Sequence, residues 1–219
     1  MKGIIFDMDG TLIDNMMLHH RAWQKQLSIL GLELSIEEVM EQVHGINTEI
    51  LKRFFGDRFT HEERLAIADE KEARYREICN SDLKLVRGLG RLLDELKAAN
   101  IPMAVGTAAP PDNTNLVMDI LKLRPYFQAI VHSDDVERGK PDPEVFEKAA
   151  VGMQLPVQDC LVFEDSIVGA KTAANAGCTM IAVTTTHQQP EFAAFSHIHS
   201  FIDHYEGITL DYLRAEFGL

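Results

Sequence analysis

Five short runs of apolar residues recur along the chain, and segments with helical periodicity separate them. The runs are continuous rather than alternating, which is typical of parallel strands covered on both faces. Regular alternation of such strands with helices predicts an α/β fold, a doubly wound parallel sheet. The predicted strands are residues 3–6, 103–106, 129–131, 160–163 and 180–183.

Several helix boundaries are marked by residue type. The periodic segment 89–99 stops shortly before Pro102, and the segment 170–176 ends at Gly177, a residue suited to a helix C-terminus. Asp142 and Pro143 offer an N-cap and a proline at the first helical position. These signals predict helices between the strands, as a doubly wound sheet requires.

One long segment departs from the alternation of strands and helices. It follows the first strand and contains helical patterns at 18–30, 36–43, 49–55 and 61–78, with no convincing strand. We therefore predict two domains. Residues 1–15 and 84–219 form the core domain, and residues 16–83 form an inserted helical cap.

Composition and charge narrow the classes of function. The 219 residues are 46% hydrophobic and 25% charged, as in ordinary globular proteins. The net charge of −13 repels nucleic acid and anionic membrane surfaces, so neither is expected as a partner. Three cysteines without close spacing predict neither a disulfide framework nor a thiolate zinc site. We expect a cytoplasmic protein, by default a monomer.

Candidate chemistry lies where the predicted strands end. Asp7 and Asp9 follow the first strand, Thr107 follows the second, and the pair Glu164-Asp165 follows the fourth. If these ends share one edge of the sheet, each pair of carboxylates about 4 Å apart repels by ~4 kcal/mol. Lys140 alone cannot offset several such charges. A hard divalent cation with oxygen ligands can, and this donor set is typical of Mg²⁺.

These residues resemble a known superfamily. The run Asp7-Met8-Asp9-Gly10-Thr11, the later Thr107, Lys140 with Pro141, and Glu164-Asp165 resemble the four ordered motifs of haloacid dehalogenase-type phosphotransferases. The similarity extends over the whole chain, because the helical insertion resembles their four-helix cap. Four motifs in order are far more specific than any one of them.

The resemblance implies a role for each motif residue. Asp7 is the expected nucleophile, which forms an aspartyl-phosphate, and Asp9 is the expected general acid and base. Mg²⁺ is expected on the Asp7 carboxylate, the Asp9 backbone carbonyl and the Asp165 carboxylate. Glu164 is either a further metal ligand or an acceptor that orients Asp165. Thr107 and Lys140 are expected to hold the phosphoryl oxygens; the implied substrate is a small phosphorylated metabolite.

Several positions help to distinguish subgroups. An Asp two residues after the nucleophile separates this chain from the dehalogenase branch and favours a phosphoryl substrate. His19 and Trp23 match the first cap helix of β-phosphoglucomutases and related sugar-phosphate phosphatases. Mutases of this subgroup carry a basic residue in the cap loop, where this chain has Thr48, and a Ser-Lys-Asn run where it has 109–111 as Ala-Pro-Pro. We therefore predict a phosphatase, with a phosphoglucomutase as the alternative.

A phospho-accepting signalling module is a third alternative from a different class. Receiver domains also gather acids, a Thr and a Lys at one sheet edge, but their phosphorylated Asp follows the third strand and they have no cap. The residues expected to contact substrate are Thr11, His19, Gly45, Thr48 and Ala108. Specificity is expected in cap loops at 45–48 and 71–75.

The remaining histidine-rich segment has a simple interpretation. His197, His199 and His204 lack an acidic or cysteine partner at metal-binding spacing. We expect them to be surface histidines near an exposed helix, and Trp23 to be a packing residue of the cap.

Overall fold

The computed structural model describes residues 1–43, 45–79 and 83–219. The chain divides into two compact units, one made of Met1–Asp14 and Leu83–Leu219 and the other of Asn15–Asp82. The second unit is therefore inserted into the first after the first strand and its loop. The bounds predicted from the sequence lie one residue away at each junction.

A single six-stranded parallel sheet forms the centre of the first unit, with strand order β3-β2-β1-β4-β5-β6. This order and the intervening helices confirm the predicted doubly wound α/β fold class. The strands are β1 (Gly3–Phe6), β2 (Met103–Gly106), β3 (Ala129–Val131), β4 (Cys160–Glu164), β5 (Thr179–Val183) and β6 (Ile198–Ile202).

The central strand β1 lies between β2 and β4. Phe6, its last residue, pairs with Val105 on one side and with Phe163 on the other. Because the strand order changes direction at this point, the carboxyl ends of β1 and β4 border the crevice where open parallel sheets bind ligands. The register thus brings the residues after β1, β2 and β4 to one edge.

Edge strand β6 carries one residue of the histidine-rich segment. His199 lies on this strand and is exposed. Its Nε2 is 3.4 Å from a carboxylate oxygen of Glu216, and its ring centroid is 4.6 Å from that of Phe217, both in the last helix, α9 (Leu210–Phe217). The expectation of a surface histidine near an exposed helix therefore holds for His199, although strand β6 itself was not predicted.

Helices pack on the sheet through alternate strand residues. Ile5 of β1 and Val162 of β4 share one core cluster with two helical residues. These are Phe146 of helix α7 (Glu144–Gly152) and Ala173 of helix α8 (Ile167–Ala176). Strand neighbours point to opposite faces, and Phe6 stacks on Phe163 with ring centroids 5.1 Å apart. The helices of this unit are α5 (Leu89–Ala98), α6 (Pro111–Ile120), α7 (Glu144–Gly152), α8 (Ile167–Ala176) and α9 (Leu210–Phe217).

Two details of these helices differ from the sequence prediction. Helix α7 begins at Glu144, and Pro143 is its N-cap residue rather than its first helical residue. Asp142 still stabilises this helix start, because its Oδ1 accepts a hydrogen bond from the Glu144 amide at 3.1 Å. Helix α6, which begins at Pro111, was not predicted.

Among its described residues, the second unit contains helices joined by turns and loops, and no strand. Its core contains Trp23 and Leu27 from the first helix and Leu51 from the third, so Trp23 lies among packing residues. The predicted loop 71–75 lies instead within the fourth helix, and that expectation is wrong. The helices are α1 (Met16–Ile29), α2 (Ile36–Gln42), α3 (Asn47–Phe55) and α4 (His61–Cys79).

The three cysteines are free thiols and are buried. Burial raises the pKa of Cys160 to about 11 and the pKa of Cys178 to about 12, so both remain protonated and unreactive near neutral pH. Across the described ranges, no helix combines the length and apolar character needed to span a bilayer.

Candidate active site

The loop after β1 folds tightly around one carbonyl group. The Asp7 amide donates to the Phe163 carbonyl at 3.0 Å and so extends the sheet by one residue. The Met8 carbonyl then accepts the amides of Leu12 at 2.9 Å and Ile13 at 3.2 Å. This arrangement defines a compact catalytic loop, residues 7–13.

Glycine is required in this loop at position 10. Gly10 has a φ of +78°, a conformation that L side chains rarely adopt. A Cβ atom there would lie 2.1 Å from Asp165 Oδ2. Gly10 therefore allows the Asp165 carboxylate to lie against the loop backbone.

Three carboxylates meet beside this loop. Asp7, Glu164 and Asp165 each offer an oxygen, and these three atoms lie within 4.8 Å of one another. The residues are 6%, 1% and 3% exposed, so water screens their repulsion poorly. We call these three residues the acid cluster. The predicted meeting of acids at one sheet edge is present for them, whereas the Asp9 carboxylate does not belong to this group.

Lys140 joins two members of the acid cluster. Its Nζ donates to Asp7 Oδ1 at 2.7 Å and to Glu164 Oε1 at 2.9 Å. Burial alone would lower the pKa of Lys140, but the Asp7 and Glu164 charges outweigh burial and raise it. The ammonium is therefore charged, and one positive charge faces three acids.

Two carboxyl groups of the acid cluster have raised pKa values. Burial, with the nearby charges of Glu164 and Asp9, raises the pKa of Asp7 to about 7 despite the opposing effect of Lys140. Burial and the charges of Glu164 and Asp7 also raise the pKa of Asp165 well above its ordinary value. A set of clustered carboxylate oxygens with too little positive charge fits a hard divalent cation. The acid cluster could therefore hold a metal ion.

Glu164 is held by the start of helix α8. Its Oε2 accepts the Ser166 amide at 2.6 Å, and the Ser166 side chain caps α8 by accepting the Gly169 amide at 2.9 Å. Gly169 has no side chain to block the carboxylate, since a Cβ there would lie 1.7 Å from Glu164 Oε1. Ser166 and Gly169 were not predicted as residues of the site. The sequence feature that could have indicated Gly169 is a glycine inside a helix, which is unfavourable unless close packing requires it.

The hydroxyl residues around the cluster are oriented within the protein. Thr107 follows β2 and is buried, and its Oγ1 accepts the Ala109 amide at 3.0 Å. Ala108, between them, is exposed. Thr11 is fully buried, and its Oγ1 donates to Asp165 Oδ1 at 3.4 Å. Their contacts with a substrate remain predictions.

The second unit contains a charged cluster of its own. Lys71 is buried, and its Nζ lies 2.8 Å from His19 Nδ1 and 2.8 Å from Glu72 Oε1. Glu72 Oε1 also accepts a hydrogen bond from Asn47 at 2.8 Å. Burial alone would raise the pKa of Glu72, but Lys71, His19 and Asn47 hold it down to about 2.

The ring of His19 also stacks on Tyr75, with centroids 3.9 Å apart and planes 6° from parallel. Two other expected substrate contacts lie in this unit, Gly45, which is exposed, and Thr48, which is half-buried. The roles of these residues remain predictions. Lys71 was predicted in a specificity loop, whereas it is a buried lysine within helix α4.

The protein thus combines a doubly wound sheet with a buried acid cluster at the ends of its two central strands and a lysine that contacts two of the acids. This combination is typical of α/β enzymes with an aspartate at the centre of the active site. Comparison with known proteins agrees with this class. The profile of the family described as haloacid dehalogenase-like hydrolase matches residues 1–177. The chain belongs to this family, and the resemblance inferred from the motifs is confirmed.

Individual relatives cover nearly the whole chain. It is 30% identical to a β-phosphoglucomutase of Bacillus subtilis over 99% of this chain and 95% of the relative. It is 32% identical to a fructose-1-phosphate phosphatase of Escherichia coli over 83% of this chain and 95% of the relative. A crystal structure of a family IA hydrolase from Entamoeba histolytica superimposes with a TM-score of 0.90 and 28% identity over all of both chains. Both predicted enzyme classes, phosphatase and phosphoglucomutase, therefore occur among its relatives.

Proposed function

We propose that this protein is a Mg²⁺-dependent phosphomonoester hydrolase that acts on a small phosphorylated metabolite, most simply a sugar phosphate. The observation that carries the proposal is the buried Asp7 carboxylate, 2.7 Å from Lys140 and beside Glu164 and Asp165. A carboxylate held against a cation at a sheet edge is suited to attack phosphorus. The fructose-1-phosphate phosphatase of Escherichia coli supports a sugar phosphate as the substrate class.

In the first step, a carboxylate oxygen of Asp7 forms a bond to phosphorus while the bond from phosphorus to the ester oxygen breaks. Asp9 donates a proton to that oxygen, and the alcohol leaves. Lys140 and Thr107 hold the phosphoryl oxygens and offset their charge. The product of this step is an aspartyl-phosphate on Asp7.

In the second step, a water molecule attacks the phosphorus of this aspartyl-phosphate. Asp9, now a carboxylate, takes a proton from the water, and the bond between phosphorus and the Asp7 oxygen breaks. Inorganic phosphate leaves, and both aspartates return to their starting states. The sum is one ester and one water converted to one alcohol and one phosphate.

The acid cluster supports the choice of Mg²⁺ as cofactor. Asp7 and Asp165 would bind the ion through carboxylates and Asp9 through its backbone carbonyl, with Glu164 as a further ligand or as an acceptor that orients Asp165. When bound, the ion supplies positive charge against the acids and the phosphoryl group. Without that charge, the acid cluster would repel the anionic substrate.

The second unit is the proposed cap, and Thr11, His19, Gly45, Thr48 and Ala108 are the proposed substrate contacts. A cap would shield the Asp7 nucleophile from bulk water until the leaving group is bound. Negative charge and free cysteines support a monomeric protein of the cytoplasm.

A phosphoglucomutase is the second candidate, because the Bacillus subtilis relative with that name covers nearly the whole chain. Thr48 has no positive charge where mutases have a basic residue, and the side chains of the segment 109–111 lack the donors of the Ser-Lys-Asn run that would bind a second phosphate. A hydrolase is therefore the preferred function.

The test is release of inorganic phosphate from a panel of sugar phosphates, with Mg²⁺ and with EDTA. Asp7→Asn should abolish release, whereas Asp14→Asn, a change at an exposed residue just beyond the catalytic loop, should retain it. Incubation of a hexose 1-phosphate with a trace of the bisphosphate separates the candidates, since a mutase would yield the 6-phosphate isomer without net phosphate release. Full turnover by Asp7→Asn would refute both candidates.

A further inference from the structure

Tyr205 is buried at the base of the catalytic loop, although no sequence motif includes it. It follows strand β6 and is 0% exposed. Its ring lies 6.5 Å from the ring of Phe6 and 5.4 Å from that of Phe163. These two residues directly precede Asp7 and Glu164, so Tyr205 packs under two members of the acid cluster.

The hydroxyl of Tyr205 has a specific partner in the catalytic loop. It donates to the Thr11 carbonyl at 3.2 Å in a fully buried hydrogen bond. The side chain of the same Thr11 donates to Asp165 Oδ1 at 3.4 Å. Thr11 is therefore held from two sides, by Tyr205 at its carbonyl and by Asp165 at its hydroxyl.

Tyr205 is itself anchored to the segment that returns from the second unit. Its amide donates to the Arg87 carbonyl at 2.8 Å. One residue earlier, the Val86 amide donates to the Leu12 carbonyl of the catalytic loop at 2.9 Å. Val86 and the Tyr205 hydroxyl thus bind the carbonyls of two consecutive residues of the catalytic loop, Leu12 and Thr11.

The surroundings of Tyr205 keep its proton in place. Burial and the negative charges of Asp165 and Asp7 raise the pKa of Tyr205 well above its ordinary value. The phenol therefore remains a hydrogen-bond donor over the working pH range of any enzyme of this kind.

From this geometry we propose that Tyr205 is a positioning residue for the reaction, and that its hydroxyl fixes the Thr11 carbonyl so that Asp7 and Asp165 keep the spacing needed to bind one cation. The inference rests on the proposed function, since it assigns Tyr205 to the same metal and nucleophile site. Outer partners of this kind are needed because a metal site depends on the orientation of its ligands as well as on their identity.

The matching experiment is Tyr205→Phe, which keeps the ring packed against Phe6 and Phe163 and removes only the hydroxyl. The control is Tyr126→Phe, which removes a hydroxyl that donates to Asp94 Oδ1 at 2.6 Å on the protein surface. Each variant is compared with the wild-type chain by Mg²⁺ calorimetry, steady-state kinetics and amide hydrogen exchange.

We expect Tyr205→Phe to weaken Mg²⁺ binding and to lower kcat, each by about 3- to 10-fold. This is below the usual effect of losing a direct partner of a metal ligand, because Tyr205 acts one contact further out, through Thr11. The KM for the sugar phosphate should change less than kcat, because Tyr205 would act on the substrate only through Thr11. The amides of Leu12 and Ile13, which bond to the Met8 carbonyl, should exchange faster than in the wild type. Tyr126→Phe should change none of these quantities.

Two outcomes decide the proposal. If Tyr205→Phe leaves Mg²⁺ affinity, kcat and the exchange of Leu12 and Ile13 at wild-type values, Tyr205 is only a packing residue and the proposal is wrong. If the wild-type protein neither binds Mg²⁺ nor releases phosphate, the proposed function fails, and the exchange of Leu12 and Ile13 alone decides whether Tyr205 positions the loop.

Discussion

Gly169→Ala is expected to damage the acid cluster although it changes no charged residue. Gly169 is the third residue of helix α8, where alanine would normally be favoured over glycine by up to about 1 kcal/mol. A Cβ there would lie 1.7 Å from Glu164 Oε1 and Cδ, whereas real Cβ contacts do not fall below 3.0 Å. The Glu164 carboxylate must therefore move by more than an ångström.

The size of the effect follows from what this movement breaks. The carboxylate is the end of a flexible side chain, but it is buried and accepts hydrogen bonds from Lys140 at 2.9 Å and the Ser166 amide at 2.6 Å. Loss of a charged hydrogen bond costs about 1.5–3 kcal/mol. After about 1 kcal/mol for the helix preference of alanine is subtracted, we expect a net destabilisation of about 0.5–2 kcal/mol, or a Tm lower by about 1–8 °C for a chain of this size.

The assay is thermal unfolding together with phosphate release in saturating Mg²⁺. The matched control is Gly90→Ala at the second residue of α5, where a Cβ would meet Leu85 at an ordinary 3.5 Å. This control should raise the Tm slightly and keep full activity. A Gly169→Ala protein with a Tm and kcat at or above those of the wild type would show that the Glu164 carboxylate does not need this space.

Three further predictions concern the charges. Lys140→Met should lower kcat by about 100- to 1000-fold, as for loss of a group that stabilises transition-state charge, while Lys148→Met on the exposed face of α7 should retain activity. The pKa of Asp165 is raised in the folded protein. Its protonated form therefore stabilises the folded protein at pH values below the ordinary pKa of aspartate, and this stabilisation is lost as the pH rises. In EDTA, the Tm of Asp165→Asn should therefore fall less between pH 5 and pH 8 than the Tm of the wild type. Added Mg²⁺ should no longer raise the Tm of this variant. A larger fall than in the wild type would contradict this reasoning. Glu72 has a lowered pKa, and Glu72→Gln should destabilise the protein by about 2 kcal/mol at pH 7 in urea unfolding, because it leaves the buried charge of Lys71 without its carboxylate; equal stability would mean that Lys71 is compensated elsewhere.

The strands that carry the site were predictable because each is a short, continuous apolar run. β1, β2 and β3 have the predicted bounds, and β4 extends by one residue to include Glu164. Strand β6 was missed because it pairs with one neighbour only and alternates partly buried residues with polar ones such as His199. An edge strand of this kind lacks the apolar run on which the prediction relied.

The meeting of Asp7, Lys140 and Glu164 followed from their order along a parallel sheet, whereas their supports did not. Gly169 acts through the space that it leaves for a carboxylate five residues earlier. Tyr205 reaches the catalytic loop from almost two hundred residues away. Such contacts depend on packing in three dimensions, and residue type and spacing carry little sign of them.

The residues of the acid cluster lower the stability of the folded protein. Burial of three acids around one lysine leaves carboxyl groups that hold protons at a pKa of about 7 for Asp7 and above the ordinary range for Asp165, and a group held in this way lowers the stability of the ionised protein. Gly10 and Gly169 have no side chain, so carboxylates approach their backbone more closely than any side chain would permit. A bound cation would stabilise the folded protein through binding and would offset the negative charge that these residues concentrate in a buried place. The same cation would let an anionic phosphate approach Asp7. The proposed divalent ion at the acid cluster would therefore account for both the structural cost and the proposed chemistry.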